Sequence, residues 1–261
     1  GKKEYKKMID AMITLYEKSE DSDYLNIERF KKDKKYSVAV IKEKIASEKD
    51  NALWRLVLAG LYEECYMFSE MLPLLNGILD EYGLDEDLLE ARADCYDEMG
   101  MTELALADVN TILEICDESD RAYYHSKRAD INRSAGNYKE AIVDYDKFIE
   151  RFPTAAYGYY ARGWCKELSG NLEAAMKDYD EGIAIDENYP YIYLMRGEGY
   201  RLQGREDLAK SDFEKVLSLD SLTRTGSCRH YALCFLGQND EAAEWMDKII
   251  EKDPDNPGNW Y

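Results

Sequence analysis

Arginine and aspartate recur at a fixed separation along this 261-residue chain. Four arginines are each followed, sixteen residues later, by an aspartate. The pairs are Arg92/Asp108, Arg128/Asp144, Arg162/Asp178 and Arg196/Asp212. A guanidinium and a carboxylate can form a forked, doubly hydrogen-bonded ion pair. The pairs could form a line of charges for a ligand. The sequence favours partly buried internal ion pairs that fix helix register, because the pairs persist while the residues around them vary.

Residues that could support catalysis or bind a metal are few and badly spaced. His125 and His230 are the only histidines, and they lie about a hundred residues apart, which disfavours a histidine metal site or a catalytic triad. The six cysteines form no C-x-x-C pair, so buried free thiols in a reducing compartment are favoured over disulfides or a metal site. The cysteines are Cys65, Cys95, Cys116, Cys165, Cys228 and Cys234. We predict no catalytic residue, no metal and no cofactor.

The amino-acid composition limits the classes of partner that the protein can bind. The formal net charge is −20, from 34 basic and 54 acidic residues. Nucleic acids and anionic membranes are disfavoured, since both need basic patches. No apolar run is long enough to insert into a membrane. The cysteines favour the cytoplasm. Export is the alternative, since the chain begins at Gly1 and a leader could have been removed.

Five glycines are spaced by 36, 34, 34 and 33 residues, and the sequence around each is similar. An alanine follows each glycine by five residues, and a larger apolar residue follows that alanine by four. The glycines are Gly100, Gly136, Gly170, Gly204 and Gly237. Apolar residues recur at intervals of three and four on both sides of each glycine, as two amphipathic helices require. Each unit is therefore predicted to be a helix, a tight turn and a second helix, in an all-α chain.

These units resemble the tetratricopeptide repeat, a helix–turn–helix of 34 residues with an A-x3-F pattern in its second helix. That pattern stands here as Ala141/Tyr145, Ala175/Tyr179 and Ala209/Phe213, and the closing proline as Pro153 and Pro254. The resemblance is strong over about residues 86–256. It implies a right-handed α-solenoid, in which the first helices line the concave face.

The spacing predicts the following segments. Residues 1–50 form an N-terminal capping helix and a degenerate repeat, and residues 51–85 form a divergent repeat. Five repeats follow at residues 86–121, 122–155, 156–189, 190–222 and 223–256. Residues 257–261 start a further, truncated repeat, which favours a fragment of a longer protein over an ordinary frayed terminus.

The resemblance also implies a partner-binding groove on the first helices. Three columns of residues correspond to the family's binding positions. They hold Asp87, Tyr123, Tyr157 and Tyr191; Glu90, Ser126, Tyr160 and Leu194; and Asp94, Asp130, Trp164 and Glu198. The aromatic residues are expected to anchor a partner, and Asp94, Asp130 and Glu198 to select basic residues. The alternative for each ring is that it fills the space between repeats.

The predicted function is a non-enzymatic adapter that binds a peptide or helix of a partner protein, neutral or basic and tolerant of aromatic residues. The family's carboxylate-clamp pattern is absent, and Asp130 would repel a carboxylate tail. The alternative is a scaffold arm of a longer enzyme or sensor whose active domain lies outside these residues. Self-association of the chain is a third, weaker hypothesis.

Overall fold

The computed structural model describes residues 34–47, 51–219 and 226–252. Within these ranges all regular structure is helical, which confirms the all-α prediction. Two predictions fall outside the described residues. They are the first helix expected within residues 1–50 and the truncated repeat at 257–261. Contacts between Cα atoms divide the chain into two compact units, with the division after Cys116.

The first unit contains helices that pack on one another in chain order. They are α1 (Lys34–Ser47), α2 (Ala52–Glu63), α3 (Phe68–Tyr82), α4 (Glu86–Glu98) and α5 (Thr102–Ile115). Its core consists of aliphatic side chains on α2 to α5 that are almost entirely removed from water, such as Leu58, Ile78 and Leu89. Asp85 begins α4 as an N-cap, since its carboxylate accepts hydrogen bonds from the backbone N–H groups of Asp87 and Leu88.

The second unit repeats one helix pair along the chain. Its first helices are α6 (Arg121–Ser134), α8 (Ala156–Leu168), α10 (Pro190–Leu202) and α12 (Gly226–Phe235). Its second helices are α7 (Tyr138–Arg151), α9 (Leu172–Ile185), α11 (Glu206–Ser218) and α13 (Asn239–Lys252). Each second helix packs on the first helix of its own pair. In addition α8 contacts α6 and α10, and α10 contacts α12, so successive first helices lie side by side.

Glycine makes the turn inside each pair. Gly136 and Gly170 have φ values of 80° and 88°, in the left-handed region that a side chain disfavours. The residue after each glycine donates its backbone N–H back into the first helix. Asn137 bonds the carbonyl of Asn132 and Asn171 that of Lys166, both at 2.8 Å. This closure satisfies the last carbonyls of the first helix and reverses the chain within a few residues.

Small residues on the first helices allow the two helices of a pair to approach closely. A Cβ atom added to Gly163 would lie 2.6 Å from Cε1 of Tyr179, and one added to Gly197 would lie 2.7 Å from Cε1 of Phe213. Both rings are buried. The aromatic ring of the A-x3-F pattern therefore occupies the volume that the missing side chain leaves.

The four recurring arginine–aspartate pairs are all in contact. In each, the arginine donates from Nε and Nη2 to the two carboxylate oxygens at 2.7–2.9 Å. A forked bond of this kind fixes both the separation and the rotation of the two helices. The pairs join α4 to α5 (Arg92–Asp108), α6 to α7 (Arg128–Asp144), α8 to α9 (Arg162–Asp178) and α10 to α11 (Arg196–Asp212).

The four ion pairs are partly buried, as expected from the sequence. Asp108 and Asp212 are each 5% exposed, Asp144 is 3% exposed and Asp178 is 4% exposed. The aspartates are therefore buried, while the arginines keep some contact with water. The physical reason is the close approach of the two helices of a pair, which leaves no room for solvent around so short a side chain. Buried carboxylates that already accept two bonds are not available to a ligand, which opposes the alternative of a ligand-binding line of charges.

Two of these arginines also reach an aspartate of the preceding repeat. Arg162 donates from Nη1 to Asp146 at 2.7 Å, and Arg196 donates from Nη1 to Asp180 at 2.8 Å. Each of these aspartates lies sixteen residues before its arginine. One guanidinium thus bonds the second helices of two successive repeats.

A second buried polar contact joins α8 to α9. The Tyr179 hydroxyl donates to Glu167 at 2.7 Å. Burial raises the pKa of the Glu167 carboxyl. The Tyr179 hydrogen bond opposes that shift, and the negative charge of Glu198 adds to it. Ionised Glu167 is therefore less favourable in the folded protein than in the unfolded chain.

We expect the Arg162–Asp178 pair to fix helix register through direct coupling. Arg162→Met and Asp178→Asn should each destabilise the protein by about 3 kcal/mol, because each leaves a buried charged or polar partner uncompensated. The double variant should show a coupling energy of about 1–3 kcal/mol in urea unfolding. The exposed Lys177–Glu173 pair is a matched control, and its coupling should be too small to resolve. A coupling near zero for Arg162 and Asp178 would contradict their role as a structural pair.

We expect Glu167→Gln to raise the melting temperature at pH 7. The raised pKa means that charged Glu167 destabilises the fold at neutral pH. Protonation relieves this cost as the pH falls through the raised pKa. The gain should therefore shrink towards pH 4, below which the side chain is protonated in both states. Thermal unfolding followed by circular dichroism at pH 4 to 8 measures this. Glu173→Gln, which removes an exposed contact with Lys177, should give no gain. A gain independent of pH would refute this interpretation.

Candidate functional site

The residues predicted to line a groove are divided between the two units. Asp94, like Asp87 and Glu90, lies on α4 of the first unit. The other nine predicted positions lie on α6, α8 and α10 of the second unit, whose first helices are adjacent. The second unit therefore brings together most of the predicted surface.

Three of the predicted positions are buried, which leaves little of their surface for a partner. Tyr160 is 9% exposed, Leu194 7% and Ser126 6%. The Ser126 hydroxyl donates to the Tyr123 carbonyl at 2.7 Å, within its own helix. Leu194 packs in a core cluster together with Phe213 of α11. For these residues the structure favours the space-filling alternative.

The aspartates of the four ion pairs are not part of any accessible site. Asp108 lies inside the α4–α5 pair and Asp212 inside the α10–α11 pair, each with both oxygens bonded to its arginine. The same holds for Asp144 and Asp178 in the two repeats between them. These aspartates hold the first helices against the second helices, and a partner would have to contact other side chains.

The remaining aromatic residues form a row of side chains that reach the surface. Tyr123 is 48% exposed, while Tyr157, Trp164 and Tyr191 are half-buried. We call these four residues the aromatic row. Glu198 lies beside it on α10, with its side chain one third exposed and 3.7 Å from Arg201.

Tyr160 is the buried centre on which part of the row packs. Its ring centroid lies 5.9 Å from that of Trp164, 5.8 Å from that of Tyr191 and 6.3 Å from that of Tyr157. It also lies 5.7 Å from that of Tyr189, which immediately precedes α10. Tilted and edge-on contacts at these distances are favourable between aromatic rings. The row is thus supported from behind by a ring that a partner would not touch.

Asp130 is engaged inside the protein. Its Oδ1 accepts hydrogen bonds from the hydroxyl of Tyr157, from that of Tyr145 at 2.7 Å and from Arg133 at 3.2 Å. Tyr145 is fully buried on α7 and Tyr157 lies on α8. The carboxylate therefore joins three helices. Its role in selecting a basic partner residue stays a prediction. All three bonds fall on Oδ1, and the side chain as a whole is 35% exposed.

Arg133 completes this cluster, and the sequence analysis did not identify it. Its guanidinium carbon lies 4.5 Å from the Trp164 ring centroid, and its Nε lies 3.3 Å from the Tyr145 hydroxyl. Burial raises the pKa of Tyr145 and of Tyr157, and the charge of Asp130 raises both further. Both phenols therefore remain neutral donors. The cation over Trp164 orients the indole.

The described residues offer little reactive chemistry. Burial raises the pKa of Cys95, Cys165 and Cys228 to about 12, which suppresses the thiolate. Cys234 is exposed, so the prediction that the thiols are buried is wrong at that position. Over the described ranges, no group of three or more histidine, cysteine, aspartate or glutamate side chains could hold a metal. In the same ranges, no helix has the length and apolar composition needed to span a membrane.

Comparison with known proteins connects this geometry to a family. Two family models for the tetratricopeptide repeat match residues 126–190 and 190–221. No curated protein sequence matches the chain. A tetratricopeptide repeat protein from Parabacteroides merdae, known from its crystal structure, is 19% identical with a TM-score of 0.67. That alignment covers 95% of this chain and 92% of the other.

Two further structures are similar over part of the chain. A thermophilic tetratricopeptide repeat protein of Thermus thermophilus is 18% identical with a TM-score of 0.54, covering 71% of this chain and 98% of the other. A MamA fragment from Desulfovibrio magneticus is 16% identical with a TM-score of 0.57, covering 65% and 95%. At these identities the likeness shows the fold, a helical repeat solenoid. Together with the matching repeat models, it shows that residues 126–221 are built of tetratricopeptide repeats.

Proposed function

We propose that this protein is a non-enzymatic interaction scaffold that binds a segment of a partner protein along the aromatic row. The observation that carries the proposal is the placement of Tyr123, Trp164 and Tyr191 on adjacent first helices, with Tyr123 exposed and the other two rings partly exposed. Large amphipathic rings on a rigid support are favoured at protein interfaces, because they provide contact area at little entropic cost.

The packing behind the row supports this proposal. Tyr157 is held by Asp130, and the Trp164 ring is flanked by Arg133 and Tyr160. Side chains that are already ordered lose little conformational freedom on binding. A row held in this way is preorganised for an extended segment or for one face of a helix.

The charge of the protein limits the partner further. The net charge of −20 disfavours acidic segments through long-range repulsion. Of the predicted acidic selectors in the second unit, Asp130 accepts bonds from two tyrosines through Oδ1, and the side chains of Asp130 and Glu198 are each about one third exposed. We therefore propose a neutral or basic segment as the ligand.

Peptide selection tests this proposal directly. A displayed library of random 12-residue peptides is enriched on the full chain, and the enriched peptides are synthesised and titrated. Tyr123→Ala with Trp164→Ala should weaken their binding by at least about tenfold, since truncating aromatic anchors costs about 1 kcal/mol or more each. Tyr157 is left intact, because its loss would also remove a donor from Asp130.

The matched control truncates exposed apolar side chains on second helices. Val143 on α7 is 55% exposed and Leu208 on α11 is 39% exposed. Val143→Ala with Leu208→Ala should leave each affinity within about twofold, and circular dichroism should show equal helicity for both variants. Equal losses in the two variants, or undiminished binding to the first, would refute the aromatic row as the binding surface.

A further inference from the structure

An open depression of about 300 Å³ lies at one end of the aromatic row, within the second unit. It is bordered by the start of α8 and by the loop that joins α9 to α10. Tyr157, Tyr189 and Tyr191 line it, together with Asp186 and Asn188. We call it the tyrosine pocket. Asp186 and Tyr189 are among the lining residues that the repeat pattern did not single out.

Aromatic rings make up much of the wall of this pocket. The centroids of Tyr189 and Tyr191 are 5.8 Å apart, with their planes inclined at 45°. Both lie within 6 Å of Tyr160, the buried ring behind them. The π faces of such rings carry negative potential and attract cations.

A carboxylate adds formal negative charge at the same place. Asp186 Oδ1 accepts the backbone N–H of Asn188 at 2.9 Å, which holds the carboxylate at the pocket. Burial raises the pKa of Tyr189 to about 12, and the negative charges near it, including those of Asp130 and Asp186, act in the same direction. The surroundings of the ring are therefore electrically negative, which favours a cationic guest.

Within this fold, arginine repeatedly packs over tyrosine. The guanidinium carbon of Arg162 lies 5.6 Å from the ring centroid of Tyr159, and that of Arg196 lies 5.7 Å from the centroid of Tyr193. Arg205 lies 4.7 Å from the centroid of Tyr200. A planar guanidinium can stack on a ring and bond a carboxylate at the same time, which an ammonium does less well.

The main competing guest is an anion, because α8 and α10 both begin near the pocket and helix N-termini attract negative charge. Three features oppose an anion. Pro190, the first residue of α10, has no N–H to offer, and the N–H of Gly158 in α8 already bonds the Ala155 carbonyl at 3.1 Å. The Asp186 carboxylate would also repel an anion.

We propose that the tyrosine pocket binds an arginine side chain of the partner segment, against the faces of Tyr189 and Tyr191 and beside the Asp186 carboxylate. This inference rests on the proposed function, since Tyr157 and Tyr191 belong to both the pocket and the aromatic row. It assigns one specific residue type to a partner that is otherwise defined only as neutral or basic.

The test uses small probes on the full chain, so that no partner need be known. Acetyl-arginine amide is titrated and followed by NMR, with acetyl-citrulline amide as the neutral isostere and acetyl-glutamate amide as the anion. Acetyl-arginine amide should give saturable shifts in residues 155–157 and 186–191, with Kd on the order of 1–10 mM. Acetyl-citrulline amide should bind about fivefold more weakly. Equal binding of these two probes, or tighter binding of acetyl-glutamate amide, would overturn the proposal.

A charge variant provides a second measurement. Asp186→Asn keeps the acceptor for the Asn188 N–H but removes the charge, so it should weaken acetyl-arginine amide about fivefold. Glu181→Gln removes an exposed charge from the same repeat, outside the pocket lining, and should change Kd less than about twofold. An unchanged Kd for Asp186→Asn would remove the assigned role of the carboxylate.

The two proposals fail separately. Selected peptides that lack arginine, depend on Tyr123 and Trp164, and are insensitive to Asp186→Asn would overturn this inference and leave the scaffold function intact. Saturable binding of acetyl-arginine amide in the pocket, without any peptide that depends on the aromatic row, would overturn the scaffold proposal alone.

Discussion

The forked arginine–aspartate bond is the constraint on which the rest of the second unit depends. It fixes the rotation of the first helices α6, α8 and α10, and rotation decides which residues reach the surface. Arg162 lies two residues from both Tyr160 and Trp164, which places it roughly on the opposite side of α8 from them. Tying Arg162 to Asp178 of the same repeat and to Asp146 of the preceding one therefore turns the aromatic stripe away from the second helices. Such a bond adds little net stability, because desolvation offsets much of the attraction, but it selects one register among many.

The helix pairs and the partners of the arginines could be predicted from the sequence, because both follow from a fixed spacing within one repeat. The bond from Arg162 to Asp146 could not, since it crosses between repeats and depends on how they stack. The same limit applies to Asp130. Its column in the repeat pattern suggested a partner-selecting charge, whereas its oxygen accepts the hydroxyl of Tyr157 from the next repeat.

A spacing identifies equivalent positions but does not say how deeply a side chain is buried. Tyr160 and Leu194 were therefore assigned to the predicted groove, although both side chains are buried. Tyr189 precedes its helix, and the equivalent residue one repeat earlier is Ala155, so no repeated feature marked it.

The carboxylates at the candidate surface make hydrogen bonds inside the protein. Asp130 accepts bonds from tyrosine hydroxyls, and Asp186 accepts a bond from a backbone N–H. The hydrogen bond of Asp186 lies within its own loop, and its carboxylate still lines an open depression. The loop, rather than a helix face, is therefore where we propose that a cation binds.

The repeats keep a contact while changing the residues that make it. In one repeat the Tyr145 hydroxyl meets Asp130, fifteen residues earlier. In the next repeat that position is Trp164, and the Tyr179 hydroxyl instead meets Glu167, twelve residues earlier. In the third the ring is Phe213, which has no hydroxyl to satisfy, and the charges at the two equivalent positions, Glu198 and Arg201, lie 3.7 Å from each other. A buried hydroxyl without an acceptor is costly, so each repeat either supplies a carboxylate or dispenses with the hydroxyl. Because Glu167 accepts the Tyr179 hydroxyl, the position equivalent to Asp130 in this repeat need not hold a carboxylate. Trp164 occupies that position and is one of the four residues of the aromatic row.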